Sequence, residues 1–554
     1  IVAGSLFWVV ALTLLSNKFT GNILYIILLL VPVVYCFYKK TPLITVYFVG
    51  ISVWYAAIGR YIPDLASHLF VFFFLLGIPL FIGVVYALLE NHKADMKYAV
   101  LLFIWFVGTI YASTQGVRFI MILVPAFSVA VGLGTAFIYR LWADVCAEKL
   151  NIKKMYVKSV LVVGVAILLF IPVGVGYSLG SQQMPLINDQ WYNALKKIDE
   201  QAAPDAIVNS WWDFGHWFKA IADRAVTFDG GSQDTPQAHW IGNVLLTNNE
   251  KEAVAILRML DCGGNSAYDQ IYNATNHSYK SITLTKQIIL ETEEDAAETL
   301  KTAGLTEEQT NKILTFTHCQ PPEDYFITSQ DMVGKAPVWA HFGSWNFDRA
   351  HIVNLVNAYE KETALAMMRE DLAMTEEQAA ELYAQATTND PNNWIAPWPS
   401  YASMPSGCTQ SQTELLCDVG IRVNLTDGDA GVLTSDGWKH PQKLLYVNPD
   451  GEYNVTYFGM YSDVLVGTDG GSYSAALIPE GAGFKAFFMD TTLMDSMFTK
   501  LFFYKGHGLE CFDLFDEQST VTGDQIYVWK VDWECSSANE VFVNPSLSVV
   551  SETP

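Results

Sequence analysis

Residues 206–217 read "AIVNSWWDFGHW", and their interpretation decides how the rest of the chain is arranged. The run "AIVNS" is short, β-branched and apolar, which predicts a strand. It leads directly into two adjacent tryptophans and an aspartate. Neighbouring residues point in different directions from either a helix or a strand, so the two rings cannot share one simple core face. The motif therefore sits at a strand-to-loop junction, where functional side chains are commonly presented. An aspartate flanked by indoles is shielded from water, which strengthens any hydrogen bond it makes. Such a carboxylate is suited to receiving a hydroxyl group. The competing interpretation is chance, since the chain holds 16 tryptophans.

Upstream of this motif the composition is different. The 554-residue chain is 51% hydrophobic with a formal net charge of −24. Its apolar residues concentrate in 1–179, while the remainder reads as an acidic, water-soluble protein. Seven apolar segments are expected at 3–16, 22–38, 42–58, 68–89, 98–113, 118–140 and 158–178. Several approach the ~20 residues that a helix needs to cross a bilayer. Lys39, Lys40, His92, Lys93, Lys97, Arg140, Lys149, Lys153 and Lys154 fall in alternate loops; the other loops carry only Lys18 and Arg60 as basic residues. The positive-inside rule makes the basic loops cytoplasmic, so 180–554 is expected outside the cell. No short apolar run is followed by a small-residue cleavage site, so no signal peptide is expected. The chain opens on Ile1 and is expected to be a piece of a longer protein.

Downstream, 188–202 predicts an amphipathic helix and "NEKEAVAILRML" another. Two acidic helices are expected in 289–316. A long helical hairpin is expected over 350–387, with "MTEEQ" carrying a Thr-x-x-Gln capping signal. From about 393 the stretches "KLLYVNP", "EYNVTYFG", "SYSAALIP" and "QIYVWKVDW" predict strands. The expected organisation is thus a multi-span α-helical membrane domain (1–179) followed by an external mixed α/β domain. The external part divides into a mainly α core containing the motif (180–392) and a β-rich part (393–554). Six cysteines in the external part form sequential pairs, Cys262 with Cys319, Cys408 with Cys417 and Cys511 with Cys535. An oxidising exterior permits disulfides there, although spacing alone does not fix connectivity. Asn273, Asn276, Asn424 and Asn454 begin Asn-x-Ser/Thr triplets. The acidic balance excludes nucleic-acid binding. Few charges lie inside the apolar segments, which argues against a transporter or channel.

"WWDFG" resembles the WWDYG signature of the oligosaccharyltransferase catalytic-subunit family, with Phe214 in the tyrosine position. The likeness extends along the whole chain and is closest in character to archaeal members. It implies transfer of an oligosaccharide from a lipid phosphate or pyrophosphate carrier to asparagine in Asn-x-Ser/Thr sequons, by an inverting, metal-dependent glycosyltransferase. Trp211, Trp212 and Asp213 would then receive the Ser/Thr hydroxyl. A second stretch, "SQDMVGKAPVWAHFGSW", resembles the family's second sequon-reading motif. Met332, Lys335 and Trp339 match its spacing, with lysine where isoleucine is usual, and Lys335 would line the same hydroxyl pocket. Alternatively Lys335 is a surface lysine.

In "STQGVRFIMILVP", Arg118 matches the arginine that contacts the phosphate of the lipid-linked donor. A planar guanidinium suits phosphate oxygens, though an arginine at a helix end also snorkels to the interface. His216 and His239 lie near the motif and are placed close to substrate, whereas His341 and His351 are expected to be structural. The family's Mn²⁺ or Mg²⁺ is held by acidic residues on external membrane-domain loops. Residues 1–89 contain no glutamate and only one aspartate, Asp64, a poor substitute candidate for the family's catalytic acidic residue. The family has about thirteen spans against seven here, so most metal ligands are expected upstream of Ile1. The alternative function is a catalytically inactive, sequon-binding membrane protein of the same family.

Overall fold

The computed structural model describes residues 151–183 and 187–535, apart from 425–428, 435–436, 448–452, 458–472, 482 and 521–523, together with scattered positions between 101 and 148. The first four apolar segments, and Asp64 with them, lie outside the described residues, and the fifth and sixth are described in part. The chain forms two compact units, the second being Pro185–Pro554.

In the first unit the seventh apolar segment lies within a 28-residue helix, Lys154–Ser181. At 1.5 Å per residue such a helix is about 42 Å long. Its sequence carries no charge after Lys158, and Val160, Val163, Phe170, Val173 and Tyr177 are all exposed. Among the residues described, side chains included, no helix registers as long and apolar enough to cross a membrane; several mid-helix side chains here are not among them.

The second unit is built on a five-stranded sheet. Its strand order is Phe512–Ser519, Gln525–Val531, Asp324–Ser329, Ile207–Asn209, Ala225–Val226. The central pair runs parallel, with Ile207 opposite Asp324 and Asn209 opposite Phe326. Ala225–Val226 is also parallel to Ile207–Asn209, whereas Gln525–Val531 is antiparallel to Asp324–Ser329. Side chains alternate between two cores, as a strand's two-residue period requires. Tyr325, Ile327, Ile526 and Val528 face one apolar cluster with Trp191, Leu195 and Ile198. Phe326, Tyr527 and Trp529 face the other, with Trp240, Leu257 and Trp339.

The expected amphipathic helix is Asp189–Gln201, capped by Asn188, with Trp191, Ala194, Leu195 and Ile198 buried. The "NEKEAVAILRML" helix is Glu250–Gly263, and the two acidic helices are Glu293–Thr302 and Glu307–Thr317. The hairpin expected over 350–387 is instead three helices, Phe347–Ala358, Lys361–Asp371 and Glu376–Thr388. The helical period runs through all three, but Tyr359 in extended backbone and Ala373 at φ 51° interrupt it. The capping box at Thr375 and Gln378 forms as the sequence indicates. A nine-stranded sheet occupies Ser406–Asp490.

The division at 393 does not follow the packing. Phe512–Ser519 and Gln525–Val531 return to the first sheet beside Asp324–Ser329, and Met497, Phe498 and Phe502 join its core. All three sequential disulfides form: Cys262–Cys319, Cys408–Cys417 and Cys511–Cys535.

Candidate functional site

The two central parallel strands end at the same edge of the sheet. In parallel sheets, ligands bind outside the carboxyl ends of the strands. Here the loops leaving Asn209 and Ser329 meet at that edge. Ser210 Oγ donates to the carbonyl of Ile327 (2.8 Å), which ties the first loop to the neighbouring strand. The chain then tightens into a 3-10 turn, Trp212–Phe214.

The four large or charged side chains of "WWDF" separate as the backbone turns. Trp211 is 2% exposed and packs edge-on to Phe228 with ring centroids 5.3 Å apart. Trp212 is partly buried against the same core. Phe214 turns to the opposite core, against Trp191 (4.7 Å) and Trp217 (4.5 Å). Asp213 is left at the sheet edge between the two. Gly215 has a packing reason: a Cβ there would stand 2.5 Å from Asp229 Cβ and 2.7 Å from the Phe228 carbonyl oxygen.

Lys335 arrives from the second loop. Its Nζ lies 2.9 Å from Asp213 Oδ1 and 2.7 Å from Asp331 Oδ2. Burial works against the Lys335 ammonium, but the two carboxylates outweigh it and raise its pKa. Nζ also sits 5.0 Å from the Phe214 ring centroid. Asp331 accepts a further bond from Ser329 Oγ, so both its oxygens are used. Asp213 differs: its Oδ2 is buried and has no hydrogen-bond partner among the described residues. A buried acceptor without a partner is costly.

The structure therefore brings together Trp212, Asp213 and Lys335, with Trp211 behind them. Met332 and Trp339 do not line the site. They are 1% and 0% exposed, and Trp339 Nε1 donates to the Met332 carbonyl (2.9 Å). Their i, i+7 spacing serves to bury one face of the Lys335 segment. His216 is exposed, 3.5 Å from Asp229, which Lys219 also holds. His239 is buried. His341 stacks on Trp398, and His351 pairs with Asp371. Arg118 is an exposed residue of the short helix Val117–Phe119 in the first unit.

Asp331, four residues before Lys335 in the second stretch, completes the Lys335 site. One feature escaped the sequence. Behind the motif, Asn209 Nδ2 donates to Asp261 Oδ1 (2.8 Å) and Asp324 Oδ1 (3.1 Å). No local pattern links residues so distant in sequence.

Comparison with known proteins agrees with this geometry. Residues 204–349, which contain both loops, match the model of the STT3/PglB/AglB core domain. A dolichyl-phosphooligosaccharide-protein glycotransferase of Methanococcus voltae is 26% identical over 522 residues, covering 80% of this chain and 54% of that protein. Its counterpart in Methanocaldococcus jannaschii is 28% identical over 327 residues, covering 47% of this chain and 34% of that protein. The chain thus spans about half the length, or less, of these relatives. The crystal structure of the C. jejuni PglB C-terminal domain aligns with 62% of the chain at 13% identity and a TM-score of 0.32.

Proposed function

We propose that this chain belongs to the catalytic subunit of an oligosaccharyltransferase. It moves an oligosaccharide from a lipid (dolichyl) phosphate or pyrophosphate carrier to asparagine in Asn-x-Ser/Thr sequons, with inversion at the sugar. The observation that carries the reading is Asp213: one oxygen held by Lys335, the other buried and unpartnered. A Ser or Thr hydroxyl seated there would donate to Oδ2. Charge-assisted hydrogen bonds of this kind are stronger than neutral ones. Trp212 and the wall formed by Trp211 would exclude competing water. The names of the two archaeal relatives support the same activity.

The proposal includes Arg118 on the phosphate of the lipid-linked donor, membrane embedding of the first unit and an extracellular second unit. The exposed apolar surface of Lys154–Ser181 supports embedding, because a lipid environment would cover it. It also includes Mn²⁺ or Mg²⁺. An amide nitrogen is a poor nucleophile because its lone pair is delocalised, as its rotation barrier of roughly 18–20 kcal/mol shows, and a metal can stabilise a departing phosphate. Among the described residues no group of three His, Cys, Asp or Glu side chains could hold such an ion.

The test is peptide binding to the full chain. Asp213→Ala should weaken an Asn-x-Thr peptide by the cost of leaving a polar group unpaired, roughly 1–3 kcal/mol, or about 5- to 150-fold. A peptide with alanine at the third position should bind weakly to both forms. If Asp213→Ala keeps the preference for Ser/Thr over alanine, the hydroxyl-pocket assignment is wrong.

A further inference from the structure

A cleft of about 670 Å³ opens beside the motif, between the helices Gln237–Leu246, Ser278–Ile288 and Phe347–Ala358. Pockets for small organic ligands span roughly 300–1,000 Å³, so it exceeds a packing defect. Its walls are aromatic, including Trp240, Tyr268, Tyr279, Phe342, Trp345 and Phe347.

One buried polar atom in that wall is unmatched. His239 is 8% exposed and lines the cleft. Its Nδ1 lies 2.8 Å from the Phe342 carbonyl oxygen, which can only accept. Nδ1 must therefore carry the proton, and Nε2 must present a lone pair. Nε2 is buried and has no hydrogen-bond partner among the described residues. Burial, aided by the charge of Lys286, pushes the His239 pKa down to about 3, so the ring stays neutral and remains an acceptor across the physiological range.

Three other polar groups of the wall already have partners. Trp240 Nε1 donates to Asn265 Oδ1 (3.2 Å), Tyr279 OH donates to Asp348 Oδ1 (2.8 Å), and His351 Nε2 pairs with Asp371 Oδ2 (2.7 Å). Asp234, Thr235, Ser278 and Asn354 are exposed at the mouth. The interior thus asks for an apolar, preferably aromatic group with a single donor. A sugar carries many hydroxyls and would leave most of them unpaired, at a cost for each.

The cleft shares its wall with the packing behind the motif. Phe342 lines it and packs on Trp211 at 6.4 Å. The segment that places Gly230 next to Trp212 and His216 continues into the wall at Gln233 and Pro236. We propose that this cleft is a subsite of the acceptor polypeptide, taking an aromatic side chain with one N–H or O–H donor that flanks the residue held at Asp213. The assignment to the acceptor rests on the function proposed above.

Two probes separate the parts of the proposal. N-acetyl-tryptophanamide should bind the full chain saturably. Its 1-methylindole analogue, which lacks the indole N–H donor, should bind roughly 5- to 150-fold more weakly. Ala350→Trp fills the cleft from Phe347–Ala358 and should abolish binding of both probes. His239→Phe should erase the difference between them, with thermal melts confirming that the variants fold. In sequon peptides carrying tryptophan at each flanking position in turn, at least one position should bind more tightly than its alanine counterpart. Ala350→Trp should remove that advantage and leave the Ser/Thr preference intact. Equal affinity for the two probes, no flanking advantage at any position, or an advantage that survives Ala350→Trp each overturns the proposal. Absence of any Ser/Thr preference in the unsubstituted protein would overturn the Asp213 assignment instead, while leaving the probe results to decide the cleft.

Discussion

At the level of single residues, the motif is divided between display and packing. Asp213 is presented to the sheet edge; Trp211, Phe214 and Gly215 fix where that edge lies. The glycine gives the sharpest test. Any β-carbon at 215 would meet the Asp229 Cβ at 2.5 Å and the Phe228 carbonyl oxygen at 2.7 Å, neither of which is a flexible side-chain end. Gly215→Ala should therefore cost about 1–3 kcal/mol, the usual penalty for forcing extra atoms into a packed region. Gly334→Ala is the control, because nothing lies within 4 Å of its Cβ position. Urea titrations of both variants check this, and equal stability of the two would contradict the packing account. Much of this level was legible in the sequence. Two tryptophans before an aspartate cannot share one face, and the structure indeed sends Trp211 into a core and Trp212 to its margin. Met332 and Trp339 are buried, which spacing could not indicate, because it says which residues share a helix face and not whether that face meets a ligand or a core.

At the level of elements, the strand Ile207–Asn209 carries the motif, and it ends on an unusual polar cluster. Asn209 is buried and donates to the carboxyl groups of both Asp261 and Asp324, and Thr227 Oγ1 donates to Asn209 Oδ1. Burial drives the Asp324 pKa up to about 7, against the opposing pull of its bond from Asn209. Asp261 is raised by burial and then by the charge of Asp324. A carboxyl whose folded pKa exceeds its unfolded value takes up a proton on folding. Its contribution is fully present below about pH 4 and is lost as pH rises toward 7. Asp229 and Glu323 work in the opposite direction, since their partners lower their pKa values and their contribution fades in acid. The expected result is a decline in stability between about pH 4.5 and 7 that Asp324→Asn flattens. Chemical denaturation across that interval measures it, and an unchanged slope in the variant would refute the assignment. The elements themselves were largely readable from periodicity and capping, as at Asp189–Gln201 and Thr375. Their pairing was not, because strand sequence records a buried face but not a neighbour. Gln525–Val531 looked like part of a separate β-rich domain and instead lies beside Asp324–Ser329, about 200 residues earlier in the chain.

Across the whole molecule, charge and apolarity are segregated. The chain's formal net charge of −24 arises from 57 acidic against 33 basic residues, and the acidic residues are nearly absent from 1–89. The helix Lys154–Ser181 lies between the two compositions. An apolar surface exposed along about 42 Å of helix is unfavourable in water, since burial of apolar area contributes about 25 cal/mol per Å². A bilayer core of about 30 Å would cover most of it. Lys149, Lys153, Lys154 and Lys158 cluster at its N-terminal side, and its C-terminal end is free of lysine and arginine as far as Lys196. If that helix is embedded as proposed, the positive-inside rule predicts 141–157 cytoplasmic and 180–554 external. Cys146 is a natural probe of the first claim, and Ser181→Cys adds a probe at the other end. In intact cells a membrane-impermeant maleimide should label the engineered cysteine and leave Cys146 unmodified until the membrane is permeabilised. The disulfide partners in the second unit should stay unreactive without reductant, so they do not confuse the readout. Labelling of Cys146 in intact cells, with Ser181→Cys protected, would invert the topology and place Asp213 on the cytoplasmic side, away from polypeptides emerging outside the cell.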